Sequence, residues 1–455
     1  MQPAKRRKTL ILFSPPPPED KTETLIPSSF PPLEELPSNV IDEILFKLPQ
    51  KSLARLKCTC RTLRSHISNP DFESEYFSRV GPGLIHVSSF ASNYLCFNPF
   101  VFSQVSKPNS ESDSDEDDYA GCDRFSVHLP MHCQILASHG GLVLMFMKQL
   151  CIFNPITRQF RFLTHESSQA MRRCVVREPE KRVVHAERSA RIGLVVEQID
   201  RMTQMFKIVC VDELRAANPD ESRFGFDIYK LNSWKKSKAT VSCPRSNISR
   251  HTKPVYFNGA LHWLRNNGSI IAFDPETEEA KLIPTTYPSS EPDFTVWLGA
   301  ADGQLILILA TEEVISVFSL VDHEKPDWTL VRSIKNDALD DGDWLFWSIV
   351  AYDGKVLVLQ ETKGCEGKGR VLHKYSMRDN KWGILGLMPR WLDANRDFCR
   401  YIPSWSSVAE LQSWHSTFAA ARQGTLAARL RCLGPIMDLI DPQRKPKQSN
   451  FWLSL

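Results

Sequence analysis

Residues 36–64 have the sequence LPSNVIDEILFKLPQKSLARLKCTCRTLR, and this stretch decides how the N-terminal part of the chain folds. Its apolar residues recur at helical spacing, which predicts a helix with one apolar face that starts near Pro37 and stops at Pro49. The residues on that face are Val40, Ile41, Ile44, Leu45 and Leu48. Asp42 and Glu43 are expected in the first turns, where the helix dipole favours negative charge.

Further short helices are predicted directly downstream. Residues 52–60 place Leu53 and Leu56 on an inward face, and residues 62–67 form the next helix, which ends before Asn69-Pro70. The aromatic residues that follow indicate one more helical turn; they are Phe72, Tyr76 and Phe77. Helices this short cannot bury all of these side chains among themselves, so the pattern leaves apolar surface for a partner or for the next domain of the same chain.

Composition indicates a folded protein with more than one domain. The chain has 455 residues, of which 42% are hydrophobic and 24% charged, so most of it can bury a core. Its 56 basic and 53 acidic residues nearly cancel to a net charge of +3, which does not favour a general nucleic-acid or membrane surface. The 12 cysteines are scattered without a CxxC pair, a usage typical of buried thiols in a reducing compartment rather than of a zinc site.

From about Leu84 onward, short apolar strands alternate with Gly and Asn/Asp-Pro turns. Glycine-led strand pairs start at Gly140-Gly141, Gly259, Gly303 and Gly354, and a degenerate copy follows Gly225. If the aromatic residues Tyr229, Phe273, Phe318 and Tyr375 are taken as equivalent, the copies are about 44, 45 and 57 residues apart, the size of a four-stranded propeller blade. We expect residues 191–211 to supply a further blade, which gives six or seven in all.

The order of residues in the stretch that includes residues 36–64 and closes with Asn69-Pro70-Asp71-Phe72 closely resembles the F-box. The downstream strands resemble the F-box-associated, kelch-like propellers of plant F-box proteins, on the evidence of Phe153-Asn-Pro-Ile-Thr157 and of residues 375–382. The implied architecture is multidomain, a small all-α F-box helical module followed by an all-β, kelch-like β-propeller. The expected boundaries are a basic, proline-rich leader at 1–32, the F-box at 33–79, the propeller at 84–404 with an acidic loop at 105–119, and a C-terminal extension at 405–455.

This resemblance implies a non-catalytic receptor. The F-box would bind the Skp-type adaptor of a cullin-RING (SCF) ubiquitin ligase, and the propeller would recruit a protein for ubiquitination. By the same analogy the adaptor-contacting residues are Leu36, Pro37, Val40, Ile44, Leu45, Leu48, Leu53 and Leu56. Some of them must form the module's own core, and sequence alone does not sort the two groups.

A propeller-fold enzyme is one alternative. His128, His132 and Cys133 lie close together, but a strand edge offers no evident further metal ligand, and His262 sits in an apolar strand as a core histidine would. Nucleophile, zinc-protease and phosphate-loop motifs are all missing from the sequence. We therefore expect no enzyme activity, no cofactor and no metal.

A nuclear nucleic-acid-binding protein is the other alternative. A basic run extends from Arg172 to Arg191, but it alternates with Glu178, Glu180 and Glu187, as a solvated loop would. The tetrad Lys5-Arg6-Arg7-Lys8 suits either a nuclear-import signal or a solvated tail, so a location in the nucleus, the cytoplasm or both is expected. No stretch is long and apolar enough for a membrane span. Residues 411–455 are helical by propensity and are expected to pack on the propeller rim or to form a flexible tail.

Overall fold

The structure is a computed structural model of the whole chain, and it divides into two compact units, Met1–Leu48 and Pro49–Leu455. The residues it describes are 36–48, 50–80, 83–87, 94–98, 126–129, 133–178, 183–186, 189–199, 203–250, 252–285, 295–311, 313–320, 322, 326–335, 345–363, 370–388, 397–405, 407–409, 411–420 and 424–440. The predicted leader at 1–32, with its tetrad Lys5 to Lys8, and the predicted acidic loop at 105–119 lie outside them.

Four helices form the N-terminal part of the described chain. They are α1 (Ser38–Phe46), α2 (Gln50–Leu56), α3 (Arg61–Ile67) and α4 (Pro70–Val80). α1 begins directly after Pro37, as predicted, but Asp42 and Glu43 lie beyond its first turn, which contains no acidic residue. The second helix was expected to reach Cys60 and instead ends at Leu56, because Cys60 adopts extended backbone and its Sγ accepts a hydrogen bond from the Leu63 N–H at 3.3 Å as the N-cap of α3.

The strands that follow form a ring of antiparallel sheets. The first three are β1 (Gly83–Val87), β2 (Tyr94–Asn98) and β3 (Ser126–His128). The next blade contains β4 (Gln134–His139), β5 (Leu142–Phe146), β6 (Leu150–Asn154) and β7 (Gln159–Leu163). After β7 come the short helix α5 (Gln169–Cys174), the isolated hairpin β8 (Val175–Glu178) and β9 (Val183–Ala186), and a 3-10 turn at Ser189–Arg191.

Four further blades are each built from four consecutive strands. One contains β10 (Ile192–Gln198), β11 (Thr203–Leu214), β12 (Glu221–Lys230) and β13 (Ser233–Pro244). The next contains β14 (Val255–Phe257), β15 (Ala260–Leu264), β16 (Ile270–Asp274) and β17 (Glu279–Ile283). The last two contain β18 (Thr295–Ala301), β19 (Gln304–Ala310), β20 (Val314–Leu320) and β21 (Thr329–Lys335), and β22 (Leu345–Tyr352), β23 (Val356–Lys363), β24 (Arg370–Ser376) and β25 (Lys381–Met388).

A composite sheet joins the two ends of the propeller. Strand β26 (Asp397–Tyr401) pairs antiparallel with β1, so that this sheet has the order β26-β1-β2-β3. The innermost strands β4, β10, β14, β18, β22 and β26 contact one another in cyclic order. The ring is thus closed by main-chain hydrogen bonds between its first and last strands, which leaves no free edge at the junction.

The number of blades built from consecutive strands differs from the prediction of six or seven. The described residues contain five blades of four consecutive strands, and the remaining four-stranded sheet of the ring is the composite one. The extra blade expected at residues 191–211 is wrong, because β10 and β11 pair with β12 and are the first half of the blade that contains Tyr229. The equivalence of the four aromatic marks is confirmed, since Tyr229, Phe273, Phe318 and Tyr375 lie in the third strand of successive blades.

The C-terminal region packs on the ring. Its elements are β27 (Ser407–Val408), β28 (Gln412–Ser413), α6 (Trp414–Ala420) and α7 (Thr425–Ile440). β27 pairs with β11 and β28 pairs with β7, so each adds a fifth strand to a blade. The buried face of α7, which includes Leu430, Leu433 and Ile436, shares a core with residues of β1, β2, β5 and β6. The sequence left open whether this region packs on the propeller or forms a flexible tail, and its described part packs on the propeller.

Most of the described cysteines lie in the core. Cys58 and Cys60 are exposed, and the other seven are buried. Two pairs of thiols lie close together, Cys133 with Cys432 at 3.9 Å and Cys174 with Cys210 at 3.6 Å. The hydrogen bond to Cys432, together with burial, raises the pKa of the Cys133 thiol, and burial raises the pKa of the Cys210 thiol, so Cys133 and Cys210 stay protonated and serve as small apolar side chains.

Candidate adaptor-binding site

The apolar residues of α1 divide between an exposed and a buried stripe. Pro37, Val40 and Ile44 follow one another at helical spacing, and Val40 and Ile44 keep 39% and 46% of their surface exposed. Leu45 lies on the neighbouring stripe and is only 3% exposed. A stripe of large aliphatic side chains left to solvent on a short helix is a surface that a protein partner can cover.

The eight residues expected to contact the adaptor are thereby sorted. Leu45 and Leu53 are buried, at 3% and 1% exposure, and belong to the interior of the described chain. Three residues are exposed, namely Pro37, Val40 and Ile44. Three are partly exposed, namely Leu36, Leu48 and Leu56. The candidate contact surface therefore centres on the exposed stripe of α1.

Helices α2 to α4 lie in the same compact unit as the propeller, and a four-residue segment after β26 holds them to it. We call residues 402–405 the return segment, because they lead the chain from the closed ring back to α4. The ring of Trp405 lies among three aromatic rings of α4, with centroid distances of 6.4 Å to Phe72, 5.3 Å to Tyr76 and 4.8 Å to Phe77. The ammonium group of Lys57 lies 5.0 Å from the centre of the Trp405 ring, within cation–π range.

Polar contacts fix the same segment. The Glu73 carboxylate in α4 accepts hydrogen bonds from the Ser404 hydroxyl at 2.6 Å and from the Trp405 backbone N–H at 2.9 Å. The Ser404 carbonyl accepts a hydrogen bond from Asn154 Nδ2 at 3.0 Å, and Asn154 is the last residue of β6, at the start of the turn to β7. Hydrogen bonds to a carboxylate are stronger than neutral ones, so this relay joins α4 to a propeller blade through one return-segment residue.

The charged groups around Trp405 are partly desolvated. Burial lowers the pKa of Lys57, and the nearby Glu73 carboxylate acts in the opposite direction. Burial raises the pKa of the Tyr76 hydroxyl. A positive and a negative side chain thus lie near the same partly buried indole, where their attraction is stronger than in open solvent.

The double glycine singled out in the sequence lies beside this relay. Gly140 and Gly141 form the β4–β5 turn with φ of +53° and +79°, a region that L side chains rarely adopt. A Cβ atom at Gly141 would overlap the Cβ of Ser404. The turn therefore needs glycine both for its backbone conformation and for the close approach of the return segment.

These contacts identify the propeller face that carries helices α2 to α4. In a blade of four antiparallel strands, the turn between strands 1 and 2 and the turn between strands 3 and 4 lie at the same end. The short connections 140–141, 258–259 and 302–303 are turns of the first kind. The return segment meets Gly141 and Asn154, which lie at that end of their blade. Longer connections between blades, including 164–191, 245–254 and 284–294, emerge at the opposite end.

The structure also places the residues of the rival hypotheses. His262 is fully buried in β15, with its Nδ1 at 3.3 Å from the Val255 carbonyl oxygen. Cys133 is buried, whereas His132 and the side chain of His128 lie outside the described part. Within the described ranges, no group of three or more His, Cys, Asp or Glu side chains is placed to hold a metal ion.

Two arginines of the basic run are neutralised by acidic partners. Arg173 pairs with Asp212 and Arg191 pairs with Glu213, each at 2.8 Å. Three other members, Lys181, Arg182 and Arg188, lie outside the described residues. Among the described helices, none combines the length and apolar composition needed to cross a bilayer.

Sequence reasoning missed the anchor formed by Glu73, Ser404 and Trp405. The aromatic residues of α4 were recognised only as a helical pattern, and Trp405 fell at the predicted boundary of the C-terminal extension. The Glu73–Ser404 contact joins residues 331 positions apart, so no local pattern reports it. The one usable signal was the unexplained run of aromatic residues Phe72, Tyr76 and Phe77 on one helix face.

Comparisons with known families agree with this architecture. Residues 33–75 match the family described as the F-box domain, and residues 100–404 match the family described as the F-box associated beta propeller domain. The two matches together span both parts of the predicted architecture.

Similar proteins come from Arabidopsis thaliana. One, named an F-box/kelch-repeat protein, is 40% identical over 385 residues, which cover 83% of this chain and 79% of the relative. Another with that description is 34% identical over 423 residues, covering 90% of this chain and 96% of the relative. A third, named an F-box protein, is 37% identical over 321 residues, covering 69% of this chain and 97% of the relative.

Proposed function

The chain belongs to the F-box proteins that carry an F-box-associated β-propeller, and on that premise we propose that it is the non-catalytic substrate receptor of an SCF-type cullin-RING ubiquitin ligase. In this role the N-terminal helices bind a Skp-type adaptor, and the propeller recruits a protein target for ubiquitination. The observation that carries the proposal is the exposed stripe of Pro37, Val40 and Ile44 inside the F-box match.

The stripe has the chemistry that an adaptor contact requires. Interfaces obtain most of their binding free energy from a few large side chains that are desolvated in the complex. Val40 and Ile44 are exposed in this chain, so covering them removes apolar surface from water without disturbing a packed core. Leu36 and Leu48 are partly exposed in the same compact unit as the stripe and would extend this contact, and Leu56 is also partly exposed.

Target recruitment is assigned to the propeller face that carries the long connections. The anchor formed by Glu73, Ser404 and Trp405 lies at the end of the strands that has the short turns. The opposite end is therefore available to a second protein. Binding residues are concentrated on loops that a rigid scaffold positions. Among these connections, residues 164–191 carry α5 and the β8–β9 hairpin, and the cap of α5 is held by Asp227, which accepts hydrogen bonds from the Ser168 hydroxyl at 2.7 Å and the Ala170 N–H at 3.1 Å.

Co-purification tests the proposed function. The tagged intact chain and a chain lacking residues 33–79 are each expressed with a Skp-type adaptor. We expect the intact chain to retain the adaptor through washing and the shortened chain to lose it. Equal capture by both chains would remove the basis for the receptor assignment. Capture of cullin by the intact chain, only when the adaptor is present, would extend the result to the ligase.

A further inference from the structure

Helices α2 to α4 are attached to the propeller at two separate points. One is the covalent connection from α4 to β1, which spans residues 81–82. The other is the return segment, where Ser404 and Trp405 contact α4 directly after β26 has closed the ring. A single short connection allows two bodies to swivel, whereas a second point of attachment removes that freedom.

We propose that Glu73, Ser404, Trp405 and Asn154 are positioning residues that fix the orientation of helices α2 to α4 relative to the propeller. The inference rests on the proposed function, because orientation matters only if the F-box match, to which these helices contribute, binds an adaptor and the propeller binds a target. The partner of this surface is a segment of the same chain, so the device is built into the fold and needs no ligand.

The anchor is not explained by closure of the ring. β26 already pairs with β1 along the register from Gly83–Tyr401 to Val87–Asp397, which closes the propeller by itself. The contacts of Ser404 and Trp405 come after that register ends. They pack a tryptophan among three aromatic rings and engage a carboxylate, and neither feature is needed to complete a blade.

The network is stiff because it combines two independent kinds of contact. The Glu73 carboxylate accepts two hydrogen bonds from the adjacent residues Ser404 and Trp405, and hydrogen bonds are directional. The aromatic cluster around Trp405 resists sliding through close packing. Asn154 holds Ser404 at the end of β6, so α4 is bonded to a segment that is itself fixed to the blade, and a rotation of α4 would have to break its contacts with the return segment.

For a ligase receptor the consequence is geometric. Holding a reacting group at a fixed place relative to its substrate raises the effective concentration of one toward the other. A receptor whose helices were free to swivel would bind adaptor and target equally well and yet present the target over a wide range of positions. The anchor therefore acts on transfer geometry and not on either binding step.

The test measures orientation directly in the full-length chain. Spin labels are attached through unnatural amino acids at Arg61 in α3 and at Asn232 in the β12–β13 turn, both exposed, and the distance distribution between them is recorded. Trp405→Ala removes the aromatic contact, and Glu73→Gln removes the charged acceptor while keeping the side-chain shape. Glu75→Gln is the matched control, because Glu75 lies on the exposed side of the same helix and pairs with Arg79.

We expect a single narrow distribution in the parent and in Glu75→Gln, and a width at least about two-fold larger in Trp405→Ala and Glu73→Gln, as for domains without a firm interface. Adaptor affinity and the thermal midpoint of the propeller should stay unchanged in Glu73→Gln, which separates orientation from folding. Parent-like narrow distributions in both variants would overturn the proposal. Failure of the intact chain to capture adaptor would instead refute the proposed function. The spin-label distances would then still show whether the anchor fixes the helices on the propeller.

Discussion

Val40 and Ile44 show how burial separates residues that a sequence pattern treats alike. Both belong to the apolar face predicted for α1, yet Ile44 is 46% exposed and its neighbour Leu45 is 3% exposed. Helical periodicity predicts that these residues lie near one another, and it does not say which of two adjacent stripes meets solvent. The exposed stripe is therefore a structural finding, and it makes a sharp substitution possible.

Ile44→Asp places a charge in the stripe where the parent offers an aliphatic side chain. Because Ile44 is exposed, the variant should fold normally, and its affinity for a Skp-type adaptor should fall by about 30-fold to several hundred-fold, equivalent to about 2 to 4 kcal/mol. Calorimetric titration of the purified proteins measures it. Ile384→Asp is the control, because Ile384 is 71% exposed on the propeller. Equal affinities for the two variants would exclude the stripe from the interface.

His139 links three innermost strands of the ring. Its Nδ1 in β4 accepts a hydrogen bond from the Val196 N–H of β10 at 3.0 Å, and its ring meets Tyr256 of β14 edge-on at 4.8 Å. Burial lowers the pKa of His139 to about 4. Neutral histidine is thus the form that fits the folded propeller.

The sign of the resulting pH dependence follows from proton binding. Between about pH 6.5 and pH 4 the unfolded chain binds a proton at His139 that the folded chain does not, so stability is present above the unfolded pKa and is lost as the pH falls. The loss attributable to this residue should be roughly 2 to 3 kcal/mol. Denaturant unfolding at several pH values, compared between the parent and His139→Gln, measures it. An identical slope in both would show that His139 does not contribute.

At the scale of elements, the same turn serves two purposes in two blades. Asn154 and Asp274 each end the third strand of a blade and accept hydrogen bonds from the backbone N–H groups two and three residues ahead. Asn154 differs because its amide also donates to Ser404, and the residue is fully buried. A carboxylate cannot make that donation, which explains why asparagine suits this blade.

Exchanging the two side chains should have unequal effects. Asn154→Asp buries a carboxylate against the Ser404 carbonyl oxygen and should lower the free energy of unfolding by about 2 to 4 kcal/mol. Asp274→Asn keeps the acceptor of a partly exposed turn and should change it by less than about 0.5 kcal/mol. Urea unfolding of both variants gives the comparison. A similar small change in each would mean that the relay through Ser404 adds no stability.

The C-terminal helix α7 is part of the propeller core. Leu433 is fully buried, and Asp438 pairs with Arg158 of the β6–β7 turn at 2.6 Å. Leu433→Ala should therefore lower the free energy of unfolding by about 2 to 5 kcal/mol. Leu426→Ala, at a position 41% exposed in the same helix, should stay within about 0.5 kcal/mol of the parent. Chemical unfolding of both variants measures these changes. If α7 were dispensable for the fold, both variants would have the stability of the parent.

For the whole molecule, the sequence predicted the helical N-terminal part, the β-propeller fold and the equivalence of the aromatic residues in the third strands of successive blades. These features rest on local periodicity and on turn residues such as Asn154 and Asp274, which act within a few positions. The number of blades built from consecutive strands was overestimated, because β10 and β11 form long apolar strands that resemble a separate blade until their pairing with β12 is known. Their pairing partners are not encoded by spacing.

Contacts between distant parts of the chain were also beyond the sequence. The closing pair of β1 with β26 and the Glu73–Ser404 hydrogen bond join segments more than 300 residues apart. Such contacts depend on how the ring closes, which is a property of the assembled blades. For the same reason, the pattern named the eight predicted adaptor residues, but only the structure shows which of them are buried and which are exposed.

Hydrogen–deuterium exchange of the full-length chain, with and without a Skp-type adaptor, tests the receptor account most directly. The account predicts that adaptor slows amide exchange in residues 36–48 around Val40 and Ile44 and leaves exchange in the propeller strands β10–β25 unchanged. Unaltered exchange in residues 36–48 at saturating adaptor, or protection confined to the propeller, would contradict it.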